Sequence, residues 1–112
     1  MKKKYWKENL TEEEIKALTE LKEILNKNFK IDKLIIYGSK IRGDFDEESD
    51  LDVLILVPRL NWKLKESIIN KTTEINWKYD TNISPVVVSL DEWKKYPFLP
   101  YFQNVKQEGA SI

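Results

Sequence analysis

Residues 37–57 read YGSKIRGDFDEESDLDVLILV, and this stretch decides the fold. Two short runs rich in β-branched residues, 31–37 and 51–57, frame it. Gly38 ends the first run and Pro58 stops the second, so the pattern predicts two strands joined by a polar link. The polar side chains at the start of the second strand are therefore expected at the end of a buried strand.

The flanking sequence predicts helices and one further strand. Thr11 and Glu14 form a capping box ahead of apolar residues at helical spacing, which indicates a helix start. Pro85 donates no backbone hydrogen bond, so its strand is expected at an edge or an irregular position. The further predicted elements are helices at 11–28, 61–79 and 100–108, a helical turn opened by Asp91-Glu92, and a third strand at 83–89.

This order of elements predicts an α+β fold: one small domain, with helices packed against a single mixed β-sheet. A chain of 112 residues has the size of one domain. Its 41% hydrophobic and 12% aromatic residues supply one core and exclude a disordered chain. We expect a single domain over 1–112, with the basic opening, 1–8, flexible.

Composition excludes several kinds of site and partner. The 19 Lys and Arg balance 19 Asp and Glu, so a dedicated nucleic-acid binder is not expected. The chain has no Cys and no His, which excludes disulfides, thiolate zinc sites, histidine-ligated metals and serine-histidine triads. No apolar run approaches the roughly 18 residues of a membrane helix. The sequence therefore predicts a cytoplasmic protein without a membrane partner.

Asp50 and Asp52 open the second strand and form the first candidate site. Residues two apart on a strand point to the same face, so the two carboxylates project side by side. Two adjacent carboxylates repel each other unless a cation joins them. Without His or Cys the expected cation is Mg²⁺, which takes oxygen ligands and shares its shell with substrate phosphates.

The Gly38-Ser39 turn supplies the complement to these acids. Glycine lets the backbone approach a ligand closely, and Ser39 adds a hydroxyl and an N–H at the start of a short helical turn. Lys40 and Arg42 bring positive charge nearby. The combination predicts a metal–nucleotide site, with carboxylates for the metal and the turn for the phosphates.

This pattern resembles the minimal nucleotidyltransferases of the DNA polymerase β-like superfamily, whose hallmark is Gly-Ser, ten residues and Asp-x-Asp. Gly38-Ser39 and Asp50-Leu51-Asp52 match that spacing. The resemblance implies the polymerase β-like fold and Mg²⁺-dependent transfer of AMP from ATP. It implies that Asp50 and Asp52 are catalytic metal ligands, and that Gly38, Ser39 and Arg42 contact the nucleotide. Arg42 has the alternative of pairing with Asp44 or Asp46.

Superfamily members place a third carboxylate on the strand after the second long helix, and here this chain departs from the pattern. At the strand position with apolar neighbours, where the third carboxylate is expected, this chain has Ser84, and two residues earlier it has Asn82. Asp80 has the same parity and is the candidate third catalytic acid if the strand begins early. The alternatives are slow catalysis, or a site that binds without turnover.

Aromatic residues raise the question of a partner. Trp62, Ile69 and Trp77 form a second stripe on the helix predicted at 61–79, and 96–102 is rich in aromatic residues. These side chains are either core with scattered surface aromatics or a partner surface in a homo- or hetero-oligomer.

The resemblance suggests the partner, because small proteins of this group occur as antitoxins paired with HEPN-type toxins and transfer AMP to a toxin tyrosine. The alternatives are a catalytically degenerate nucleotide-binding module that neutralises its partner by contact only, and an enzyme that modifies a small molecule or an RNA end. The neutral charge argues against RNA.

Overall fold

The computed structural model describes residues 6–44, 46 and 49–112. Its helices and strands follow the predicted order, with one short strand added near the end. No helix among these residues is both long and apolar enough to cross a bilayer. The elements are α1 Glu12–Asn28, β1 Lys33–Tyr37, α2 Ser39–Arg42, β2 Leu51–Val57, α3 Trp62–Tyr79, β3 Ile83–Ser89, α4 Leu90–Lys95, α5 Pro100–Glu108 and β4 Ala110–Ser111.

The four strands form one mixed sheet in the order β3-β2-β1-β4. β1 pairs antiparallel with β2 and with β4, whereas β2 and β3 run parallel and are joined through α3. The predicted mixed sheet is confirmed. Pro85 lies on β3, an edge strand of this sheet, as a residue without a backbone N–H should.

Helices cover both faces of the sheet. On one face, α1 and α3 pack over a cluster of buried residues that includes Leu34, Ile36 and Val53. On the other face, Ile35 and Leu54 form a smaller cluster with side chains of α4 and α5. This division follows from the alternation of side chains along β1 and β2.

The predicted element ends hold with small shifts. Thr11 caps α1, and its capping box with Glu14 is present in both directions. β1 begins at Lys33, two residues later than predicted, although the Asp32 N–H still donates to the Leu56 carbonyl at 2.8 Å. Of the opening stretch, 1–8, residues 1–5 lie outside the described residues, and Trp6 packs partly buried against the larger cluster.

Candidate active site

The turn between β1 and α2 is built around Gly38. Its φ of +86° is in a region that side-chain-bearing residues rarely adopt. A Cβ atom at this position would lie 2.5 Å from the Asp52 Oδ2 atom. The sequence predicts that this glycine allows close approach of a ligand, and the geometry adds a second reason for a glycine at this position. Because residue 38 has no side chain, the Asp52 carboxylate can occupy the space beside it.

Asp50 and Asp52 lie where β2 begins. Within the sheet Asp52 is flanked by Tyr37 of β1 and by Ser84 of β3. Asp50 precedes the strand, is exposed, and accepts a hydrogen bond from the Asn82 side-chain amide. The turn at Gly38 and the two acids, twelve and fourteen residues further along the chain, therefore meet at one end of the two central strands, β1 and β2.

The electrostatics of the pair favour a cation. Partial burial raises the pKa of Asp52, the charge of Asp50 raises it further, Arg42 opposes the rise and Glu108 adds to it. The oxygen-only donor set fits a hard divalent ion such as Mg²⁺. Across the described residues, no three acidic side chains lie close enough to hold a metal ion by themselves. A metal at Asp50 and Asp52 would therefore need further oxygen ligands, such as phosphates or water.

The three side chains of α2 that the sequence singled out have different surroundings. Ser39 is the first residue of α2 and half-buried, and within the described part of the chain its hydroxyl makes no hydrogen bond. Lys40 is buried, and its Nζ atom lies 3.4 Å from the Glu14 Oε2 atom of α1. Lys40 thus anchors α2 to α1, while Ser39 remains available to a ligand.

Arg42 pairs with two acids. Its Nε atom donates to Asp44 Oδ2 at 3.2 Å, which is one of the pairings that the sequence left open. Its Nη1 atom lies 3.1 and 3.0 Å from the two carboxylate oxygens of Glu108, the last residue of α5. Glu108 Oε1 also accepts the Gly38 backbone N–H at 3.1 Å. Glu108 therefore contacts two residues of the candidate site, although the sequence did not single it out.

One sequence signal could have drawn attention to Glu108. It ends a helix, where the exposed carbonyl groups make a negative side chain unfavourable. An acid in that position needs positive partners, and here Arg42 and the Gly38 N–H provide them.

The structure brings Ser84 and Asn82 to the acids, rather than Asp80. Ser84 is the parallel-strand neighbour of Asp52, and Asn82 contacts Asp50. Asp80 is the C-cap of α3 in left-handed conformation, and β3 begins only at Ile83. The early strand start that would align Asp80 with the pair does not occur. Asp80 instead lines a cavity of about 520 Å³ beside Asn82 and Ser49.

Two tyrosine hydroxyls lie near Asp52. The Tyr37 and Tyr101 hydroxyl oxygens are 2.6 Å apart, and their rings meet edge to face. Burial and the hydrogen bond to Tyr101 raise the pKa of Tyr37 far above its usual value, and the charge of Asp52 contributes. Burial also raises the pKa of Tyr101. Both hydroxyls are protonated at neutral pH and link α5 to β1 beside the acids.

Comparison with known families and proteins indicates the family of this chain. A profile of the family described as "Polymerase beta, Nucleotidyltransferase" matches residues 19–95, which contain the turn and both acids but not Glu108. A protein of Methanocaldococcus jannaschii named "Putative protein adenylyltransferase" is 39% identical over 84 residues, covering 74% of this chain and 80% of the relative. A second protein of that organism with the same name is 34% identical over 101 residues, covering 88% and 97%.

A solved structure is similar in fold. It is the crystal structure of a "putative nucleotidyltransferase" from Sulfolobus solfataricus, with a TM-score of 0.52 at 21% identity, and the match covers 87% of this chain and 77% of that one. At this identity the likeness concerns the fold alone. The profile match over most of the chain and the two relatives at 34% and 39% identity concern the family. The chain therefore belongs to the polymerase beta nucleotidyltransferase family.

Proposed function

We propose that this protein transfers AMP from ATP to a hydroxyl group of a partner protein in a Mg²⁺-dependent reaction. The single observation that carries the proposal is the meeting of Asp50 and Asp52 with the Gly38-Ser39 turn at one end of the central strands β1 and β2. The names of the two Methanocaldococcus jannaschii relatives support protein as the acceptor class. The balanced charge of the chain argues against a nucleic-acid acceptor.

Each residue of the site has a separate role in this proposal. Asp50 and Asp52 hold Mg²⁺, which when bound neutralises charge on the transferring phosphoryl group. The Ser39 hydroxyl and Arg42 bind triphosphate oxygens. The acceptor hydroxyl forms a bond to the α-phosphorus, the bond from that phosphorus to the β-phosphate oxygen breaks, pyrophosphate leaves, and the hydroxyl proton passes to water. Catalysis of this kind depends mainly on positioning and electrostatics.

The finer parts of the proposal concern the acceptor and its setting. We infer that the acceptor is a tyrosine of a HEPN-type toxin, that this protein acts as the antitoxin, and that both work in the cytoplasm. The inference rests on the motif resemblance, and the names of the relatives support only a protein as the acceptor. The two exposed tryptophans of α3, Trp62 and Trp77, are candidate contacts for such a partner.

Calorimetry tests the metal–nucleotide site directly. Asp52→Asn removes one negative ligand, so we expect Mg²⁺·ATP affinity to fall by at least about tenfold. Asp32→Asn is the matched control, because Asp32 is an exposed aspartate next to β1 at the opposite end of the strand from Asp52. Equal affinity in wild type and Asp52→Asn would remove the acids from the nucleotide site.

A contact-only module is the second candidate function. It is favoured by the two uncharged residues, Ser84 and Asn82, that the sheet register sets beside the catalytic pair. In that case the protein binds nucleotide and neutralises its partner without transferring AMP.

The variant Asp80→Asn tests whether Asp80 takes part in catalysis. A large loss of transfer rate at unchanged ATP affinity would assign Asp80 to the reaction.

A further inference from the structure

Glu108 occupies hydrogen-bond donors that the proposed nucleotide would need. Its Oε1 atom accepts the Gly38 N–H at 3.1 Å, and both carboxylate oxygens accept from Arg42 Nη1. The residue ends α5, seventy positions along the chain from Gly38. It therefore reaches the turn through the fold of the sheet and not through local sequence.

A carboxylate and a phosphate compete for such donors. Both are anions that accept charge-assisted hydrogen bonds from a guanidinium and from backbone N–H groups. The Gly38 N–H can donate a good hydrogen bond to only one acceptor at a time. Glu108 and a triphosphate at Arg42 would also repel each other, because both are negative. A phosphate that accepts the Gly38 N–H therefore requires Glu108 to leave it, and at Arg42 the repulsion between the two anions favours the same displacement.

The surroundings of Glu108 are consistent with a reversible contact between its carboxylate and the donors of Gly38 and Arg42. Its ion pair with Arg42 is partly solvated, with side-chain exposures of 20% for Glu108 and 45% for Arg42, and partly exposed pairs contribute little to stability. Its position at the end of a helix is unfavourable for a negative charge. The following residues nevertheless keep it near the turn, because Gly109 is buried and Ala110 pairs with Ile36 of β1.

We propose that Glu108 is a residue of the nucleotide site: its carboxylate occupies the Gly38 N–H and Arg42 in the nucleotide-free protein, and a nucleotide phosphate displaces it. The inference rests on the proposed function and deepens it, because it adds a residue from outside the stretch that matches the family. Glu108 thereby sets the affinity for nucleotide and couples the end of α5 to its binding.

Calorimetry with Mg²⁺·ATP on Glu108→Gln tests the displacement. The variant keeps the side-chain shape and loses the charge, so we expect binding about three- to tenfold tighter than in wild type. Glu66→Gln is the matched control, since Glu66 is an exposed acid of α3. It should bind as wild type does. Unchanged or weaker binding by Glu108→Gln would overturn the proposal.

A second variant covers the case in which glutamine loosens α5. Glu108→Asp keeps the charge but shortens the side chain by one methylene, so it cannot reach both donors as Glu108 does. It too should bind Mg²⁺·ATP more tightly, whereas weaker binding in this folded variant would contradict the displacement. Circular dichroism and thermal unfolding check that each variant is folded.

The same titrations separate this proposal from the proposed function. If Asp52→Asn weakens binding and Glu108→Gln leaves it unchanged, the nucleotide site stands and the displacement fails. If binding is independent of Asp52, the proposed function itself fails. Amide and guanidinium NMR signals give a direct readout: Mg²⁺·ATP should shift the Gly38 N–H and Arg42 Nη signals in wild type, and Glu108→Gln should already shift them without nucleotide.

Discussion

At the scale of single residues, Gly38 and Asp52 depend on each other. The Asp52 Oδ2 atom lies 2.5 Å from the position that a Cβ atom on Gly38 would take. The Gly-Ser turn and the Asp-x-Asp strand are therefore parts of one structure. Because Gly38 has no side chain, the Asp52 carboxylate can lie beside the turn.

Gly38→Ala should damage the site more than the fold. The positive φ costs on the order of 1–3 kcal/mol of unfolding free energy, and the new methyl group forces the Asp52 carboxylate to turn away. We expect Mg²⁺·ATP affinity to fall well beyond the stability loss, as measured by calorimetry and urea unfolding. Gly43→Ala is the control: Gly43 also has a positive φ, +90°, but among the described residues a Cβ here would meet only Asn9, at 3.4 Å. Equal effects on binding in both variants would contradict this account.

Asp52 should also make stability depend on pH in a defined direction. Burial and the charge of Asp50 raise the pKa of Asp52 in the folded protein. Between the ordinary aspartate pKa and this raised value, the folded state therefore keeps a proton that the unfolded state has lost. The stability contribution of Asp52 therefore falls as pH rises through that window. Asp52→Asn cannot titrate and should unfold at a higher temperature than wild type near neutral pH, with the difference shrinking in acid. A wild type that is the more stable protein at neutral pH would contradict the raised pKa.

At the scale of secondary structure, the long elements and the short helical turns at Ser39 and Asp91 were predictable, whereas the short strand β4 was not. β2 and β3 match their predicted bounds, and for β2 the reason is that the polar link precedes it and Pro58 follows it. β4 has two residues and no periodicity, so only its pairing with β1 defines it. Asp80 illustrates a limit of parity arguments, since the left-handed C-cap of α3 separates it from the strand that parity assumed.

The register between β2 and β3 predicts where a third acid would function. Ser84 is the neighbour of Asp52 across the parallel pair, so Ser84→Asp should place a third carboxylate beside the pair. We expect tighter Mn²⁺ binding in the presence of ATP, measured by calorimetry. Ser84→Asn, which adds similar volume without charge, should not strengthen binding. If both variants behave alike, charge at this register position does not determine metal affinity.

At the scale of the whole molecule, the helices around the sheet leave apolar side chains in water. Trp62 and Trp77 of α3 are 76% and 85% exposed, and Ile69 lies between them. The sequence identified this stripe but could not decide between core and surface, because both patterns have helical spacing. The structure puts the stripe on the outside of the single chain, and its role as a partner surface stays a prediction.

The central claim is that the Asp50 and Asp52 pair transfers AMP to a partner tyrosine. Its most direct test is intact-mass measurement of a purified HEPN-type partner after incubation with this protein, ATP and Mg²⁺. Wild type and the Asp32→Asn control should add the mass of one AMP to a partner tyrosine, and the double variant Asp50→Asn with Asp52→Asn should add none. If wild type adds no mass and the double variant still neutralises the partner, the protein acts by contact alone and the transferase account is wrong.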